Sequence, residues 1–115
     1  ESDADLTTAL RTIPQQSSVL IDALGGFVAC HLDDSDLAWN NCCEALVEQL
    51  AGMGQTCVVV IEETGWGVVP PTRIGGRFRD RLGSLAQILD RQADSAWLVL
   101  QGRAVDLHAL SQRVP

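Results

Sequence analysis

A chain of 115 residues is one domain or part of one, long enough to bury a modest core. Its 46% apolar and 20% charged residues fit a soluble globular protein, with no apolar run long enough to span a bilayer and no secretory leader pattern. The net charge of −7 argues against a nucleic-acid binder, which needs a basic surface.

In chain order, residues Asp5 to Arg11 suit a short helix, stopped by Pro14. "SSVLID", Ser17 to Asp22, predicts a short buried strand with an acid at its carboxyl end. "ALGGFVACHL" then leaves the sheet through Gly25 and Gly26 and enters a helical turn. The acids Asp33, Asp34 and Asp36 read as a solvated loop that also caps the next helix, from about Leu37 to Ala51. Trp39, Cys43, Leu46 and Leu50 recur there at helical spacing and should face the core. "GMGQ" breaks that helix, and "TCVVVIE" predicts a second strand. Its continuous β-branched run predicts burial on both faces in a parallel sheet. After the loop Glu63 to Arg73, a long helix is predicted from about Ile74 to Gln92, with Ile74, Phe78, Leu82, Leu85 and Leu89 on its inner stripe. "SAWLVLQG" predicts a third strand and "RAVDL" a short fourth. The order β-α-β-α-β is that of an open α/β sheet, in which ligands sit at the carboxyl ends of strands. Asp22, Glu62, Glu63 and Gln101 lie at or near such ends.

All eight basic residues are arginine, so a Walker A lysine, a lysine Schiff base and a lysine general base are excluded within this chain. The cysteines Cys30, Cys42, Cys43 and Cys57 match no zinc spacing and form no C-x-x-C pair, which leaves reduced cytoplasmic thiols, partly in the core, as the expected state. The chain opens on Glu1 rather than methionine, and a preceding segment is expected.

Several residues admit a chemical and a plain reading. Asp22 suits a magnesium ligand after a strand, or a cap for the following turn. Glu62 and Glu63 point to opposite faces if the strand continues, so one serves a site while the other meets solvent or an arginine; both as the wet end of an ordinary strand is the alternative. In "TGWGVVPP", Trp66 between Gly65 and Gly67 suits covering a ligand, packing under a partner subunit, or lying on its own surface. Arg73, Arg77 and Arg81 form one helical stripe, suited to an anion, to an acidic partner, or to solvent. His31 and His108 read as structural or surface histidines, with no nucleophile pattern around them.

Taken together, "SSVLIDALGGFVACHL", "VVVIEETGWGVVPP" and "GRFRDRLGSLAQILDRQADSAWLVLQG" resemble the C-terminal part of the bifunctional adenosylcobinamide kinase/adenosylcobinamide-phosphate guanylyltransferase family. The likeness runs from Leu6 to Gly102, and the Glu-x-Gly-x-Gly-x-Val-Pro loop followed by Arg-Phe-Arg-Asp is its most specific part. The resemblance implies a single domain over residues 1–115, the C-terminal portion of a nucleotide-binding α/β domain. It implies a three-layer, open, mostly parallel sheet, a partial P-loop NTPase (RecA-like) fold lacking its first strands. Residue by residue, it makes Asp22 the Walker-B-like acid and magnesium ligand, and Glu63 the glutamate of the family loop, both catalytic. Gly65, Trp66, Gly67, Arg77 and Arg79 are the implied nucleotide- or substrate-binding residues. Phe78, Asp80, Gln87 and Pro70 also match.

The departures are Gly25 for a threonine, Glu62 for an asparagine and Ala86 for the asparagine before Gln87. The family's phosphate-binding loop with its lysine is absent, as is the histidine that takes up the guanylyl group; neither His31 nor His108 aligns with it. What the resemblance implies is therefore the cytoplasmic C-terminal part of an enzyme that phosphorylates adenosylcobinamide with ATP or GTP and transfers GMP from GTP to the product. Mg2+, the nucleotide and a corrinoid are the implied ligands. A homo-oligomer, or association with a P-loop-containing half, is the implied assembly, and the chain alone is expected to be inactive. A non-catalytic α/β module kept for binding or assembly is the alternative.

Overall fold

The computed structural model describes residues 5–67 and 70–115; residues 1–4 and the loop positions Val68 and Val69 lie outside the described residues. The elements run α1 (Leu6–Arg11), β1 (Val19–Ile21), α2 (Leu24–Ala29), α3 (Asp36–Ala51), β2 (Cys57–Val59), α4 (Arg73–Gln92), β3 (Trp97–Leu100), β4 (Arg103–Asp106) and α5 (Leu107–Leu110). α1 to α4 and β1 to β4 fall at predicted elements, whereas the short α5 is not among them; α3 and α4 begin at side-chain caps. Ser35 accepts from the Ala38 N–H at 3.2 Å, and Thr72 from the Gly75 N–H at 3.0 Å. Such caps satisfy amides that a helix start leaves unpaired. Gly25 and Gly26 do not precede the helical turn as expected but lie inside α2.

β1 and β2 pair in parallel, with Val19, Leu20 and Ile21 opposite Cys57, Val58 and Val59. A parallel pair needs a crossover, and α2 and α3 supply it. Val19 and Ile21 turn inward onto Leu24, Phe27, Val28, Leu46, Leu82 and Leu85, which are almost fully buried. Each such side chain contributes about 1.5–3 kcal/mol by leaving water. α1 packs on α3, α2 on α4, and α3 on α4.

Two expectations about the sheet differ from what forms. Burial on both faces is the expectation for β2, yet Val58 and Val60 are 52% and 40% exposed, and Leu20 of β1 is 65% exposed. Strand side chains alternate between faces, so these three lie on the side away from the core, and no layer of the described residues covers them. β3 does not join β1 and β2 among the described residues. It pairs instead with β4 as an antiparallel hairpin, Leu100 opposite Arg103. The two-residue turn between them holds Gln101 at φ 52° and Gly102 at φ 73°. Positive φ at both positions is the geometry that matches strand twist in tight hairpins. Gln101 is therefore a turn residue and not the end of a parallel strand. Ile74, assigned to the inner stripe of α4, is 60% exposed.

The stripe of arginines also divides. Arg81 is buried at 6% exposure. Its guanidinium donates to the carbonyls of His31 at 2.7 Å and Asp34 at 2.9 Å and to the Asp36 carboxylate at 3.2 Å. It also lies 5.3 Å from the centre of the Trp39 ring. One side chain thus closes the α2–α3 connection onto α4, and its planar fork reaches two carbonyls at once. Removing it strands two carbonyls, at about 1–3 kcal/mol each. Arg81→Met and Arg81→Lys should both lower the urea midpoint, by about 2–4 kcal/mol of unfolding free energy. A lysine variant as stable as the parent chain would show that the fork is not what holds this connection.

Candidate functional site

The carboxyl ends of β1 and β2 lie side by side. The Val60 N–H donates to the Ile21 carbonyl at 2.8 Å, and the Leu24 N–H to the Val60 carbonyl at 2.9 Å. Asp22 follows Ile21 directly and is exposed; Glu62 and Glu63 leave the second strand, also exposed. The three acids therefore share one edge of the domain, because parallel pairing aligns both chain directions there.

The two glutamates do different things. Glu62 reaches across to the first turn of α2, where its Oε1 accepts from the Gly25 N–H at 2.9 Å. Glu63 turns into its own loop, where its Oε1 accepts from the Gly65 N–H at 2.6 Å. The strand has ended at Val59, so this split arises in the loop and not from strand alternation. Gly65, Trp66 and Gly67 follow in an exposed turn, with Trp66 68% exposed. Trp66 packs on no core element, as its glycine neighbours suggested.

On α4, Arg77 donates to the Leu32 carbonyl at 2.9 Å and remains exposed. It reinforces the contact that Arg81 makes one turn later. Among the described residues Arg79 meets its neighbour Asp80, at 3.6 Å, a weak surface contact. A shallow hollow between α1 and β1 is lined by Leu6, Leu10, Ile13, Leu20 and Phe27 and reaches Asp22, but Glu63, Gly65, Trp66 and Gly67 do not line it. The structure brings Asp22, Glu62 and the start of α2 together; Arg77 and Arg79 belong to the helix that braces the α2–α3 connection.

Among the described residues no group of three or more His, Cys, Asp or Glu side chains is placed to hold a metal ion. Asp22 alone offers one carboxylate. That donor set fits Mg2+ carried on a polyphosphate, since Mg2+ keeps most of its water and takes one or two carboxylates plus phosphate oxygens. It does not fit a metal caged by protein alone. No helix among the described residues is long and apolar enough to cross a membrane.

A second cluster was not legible in the sequence. The His31 Nδ1 lies 2.8 Å from the Asp34 carboxylate, and the Cys42 Sγ lies 3.8 Å from Nδ1 and 3.7 Å from Nε2. Near-equal distances put the sulfur on the plane midway between the two nitrogens, off the direction in which either in-plane lone pair or N–H points. It is a packing contact, not a Cys–His dyad. Burial, and then the nearby Asp34 charge, push the Cys42 thiol pKa up, the opposite of what a nucleophile needs. His31 instead packs against Phe27, with ring centres 4.9 Å apart. His108 meets Asp90 at 3.0 Å on the surface.

An α/β unit with acids gathered where two parallel strands end has the general form of a nucleotide-site fragment. The comparisons narrow the class. The chain belongs to the cobinamide kinase / cobinamide phosphate guanyltransferase family, whose profile matches residues 1–107. Its relatives include the "Bifunctional adenosylcobalamin biosynthesis protein CobU" of Salmonella typhimurium, 42% identical over 50 residues, 44% of this chain and 28% of that protein. A protein of the same description from Escherichia coli is 36% identical over 67 residues, 55% of this chain and 37% of that protein. The matched part thus spans well under half the length of these relatives.

All four cysteines are free thiols. Cys30 is exposed, whereas Cys43 is buried and its pKa is pushed up to about 11, by burial first, then by Cys42. A short iodoacetamide pulse at pH 8 should therefore alkylate Cys30 first and leave Cys43 unmodified until the chain is denatured. Peptide mass mapping checks this; early labelling of Cys43 would contradict the packing of α3.

Proposed function

We propose that this chain is the C-terminal part of an enzyme of cobalamin biosynthesis that phosphorylates adenosylcobinamide and transfers GMP from GTP to the product. The single observation that carries this reading is the alignment of the Asp22 and Glu62–Glu63 strand ends at one edge, in a chain that belongs to the family. Asp22 would hold Mg2+ carried on the incoming triphosphate, and Mg2+ would supply charge neutralisation of the phosphates. Glu63 orients a reacting hydroxyl from a loop whose Gly65 amide holds its carboxylate. Trp66, Gly65 and Gly67 form the wall against the substrate, with Arg77 and Arg79 on the adjoining helix.

The chain holds no lysine to grip a triphosphate, so a P-loop-containing half provides the phosphate cradle and the guanylylated histidine. Completion of the fold supports the same division. The bare Leu20–Val58–Val60 face and the strand edge beside β2 are where further strands and helices of a three-layer, P-loop-like sheet would fit. Phosphoryl transfer is mostly positioning and electrostatics, so neither half acts without the other. The assembly is one fold completed by two segments, within a homo-oligomer in the cytoplasm.

A non-catalytic α/β module for binding or assembly is the second reading, favoured by the missing lysine and by Glu62 being committed to Gly25. The reading frame upstream of Glu1 discriminates. A Gly-rich loop ending Gly-Lys-Ser there supports the enzyme; its absence from the whole operon supports the module.

Incubated with α-labelled GTP and Mg2+, the 115-residue chain alone should acquire no covalent label. A labelled chain on a denaturing gel would place the guanylylated residue here. In the complete enzyme, Glu63→Gln keeps an acceptor for the Gly65 amide but loses the charge, and turnover should fall about tenfold or more. Wild-type turnover in that variant would reduce Glu63 to a loop-forming role.

A further inference from the structure

The start of α2 lacks a cap of its own. Its N-cap residue is Ala23, which has no side-chain acceptor, and no side-chain cap bond forms there. The acceptor comes instead from 37 residues away, as Glu62 takes the Gly25 N–H. The carboxylate lies where a side chain on residue 25 would project. A Cβ built on Gly25 would meet the Glu62 Cδ at 2.8 Å and Oε1 at 2.9 Å, with Oε2 closer still. Contacts that short do not occur in folded chains, so a side chain at residue 25 would make the Glu62 carboxylate, the exposed end of a flexible side chain, swing away and give up the Gly25 bond. Gly25 is itself buried, and its neighbour Leu24 is fully buried and tied to Val60, so the backbone has no room to retreat.

We propose that Glu62 is the positioning residue of the Asp22–α2 turn and that Gly25 is the space its carboxylate requires, so that the two positions act as one unit. A carboxylate at a helix start is favoured by the free amides and by the helix dipole. Here it also joins the two strand tips. The Val60 backbone holds Ile21 and Leu24 on either side of Asp22, and the Glu62 side chain holds Gly25 one residue further. Glu62 therefore fixes the turn that presents Asp22 while touching neither substrate nor metal. The functional weight of this inference rests on Asp22 being the site acid. The coupling itself does not, and it is tested on the chain alone.

The test is amide exchange and thermal unfolding of four variants. In Glu62→Ala, exchange of the Gly25 amide should rise about tenfold, the worth of a hydrogen bond to a charged acceptor. Glu62→Gln retains an acceptor oxygen and should hold that exchange within about twofold of the parent. Gly25→Thr alone should lower the melting temperature about as much as Glu62→Ala does, and Glu62→Ala added to Gly25→Thr should lower it little further. Unchanged Gly25 exchange in Glu62→Ala, or equal losses from Gly25→Thr with and without the Glu62 carboxylate, would overturn the coupling. The exchange arm stands even if Gly25→Thr fails to fold. If the coupling holds but Asp22→Asn leaves the complete enzyme fully active, the proposed role of Asp22 fails while this inference survives.

Discussion

Everything at the acidic edge depends on the parallel register of β1 with β2. Because Ile21 faces Val59, both chains run out of the sheet at the same level. Asp22 follows Ile21 at once and Glu62 follows Val59 by three residues, so both emerge at the same rim. An antiparallel arrangement of the same two strands would have set these acids at opposite ends. The register is in turn fixed by burial, since Val19 and Ile21 face the core and a slip of one residue would send Leu20 inward in their place.

The helices serve that pairing in a definite order. α2 and α3 make the crossover, and the short connection between them is held by Arg81 and Arg77 from α4. A buried guanidinium is costly unless its donors are met. Here carbonyls, a carboxylate and a tryptophan face meet them. Of the arginine stripe, Arg81 is therefore internal scaffolding, while Arg73 and Arg77 stay exposed. The aspartates of that connection are not only a solvated cluster, because Asp36 and the Asp34 carbonyl hold Arg81 while the Asp34 carboxylate meets His31.

Periodicity made the elements legible. β-branched runs gave β1 and β2, helical spacing gave the Trp39–Cys43–Leu46 and Leu82–Leu85–Leu89 stripes, and "DDSD" marked the start of α3. Pairing was less legible, because local sequence does not say which strand neighbours which. "SAWLVLQG" has the apolar run of a buried parallel strand, yet a two-residue turn at Gln101–Gly102 folds it onto β4. Side-chain commitments across long separations were not legible at all. Nothing near Gly25 announces Glu62, and nothing near His31 announces Arg81. Of the acids picked from sequence, Asp22 and Glu63 do lie at the expected rim, while the neighbour treated as incidental, Glu62, makes the longer-range bond.

The three tryptophans sit in three different surroundings. Trp39 is 5% exposed beside Phe27 and Arg81, Trp97 is 55% exposed on the hairpin, and Trp66 is 68% exposed between its glycines. Indole emission follows polarity, so the chain carries a built-in set of optical gauges. One is quiet while the core stays intact, one watches the hairpin, and one stands in the glycine loop, where any molecule settling over it would shift its colour toward the blue.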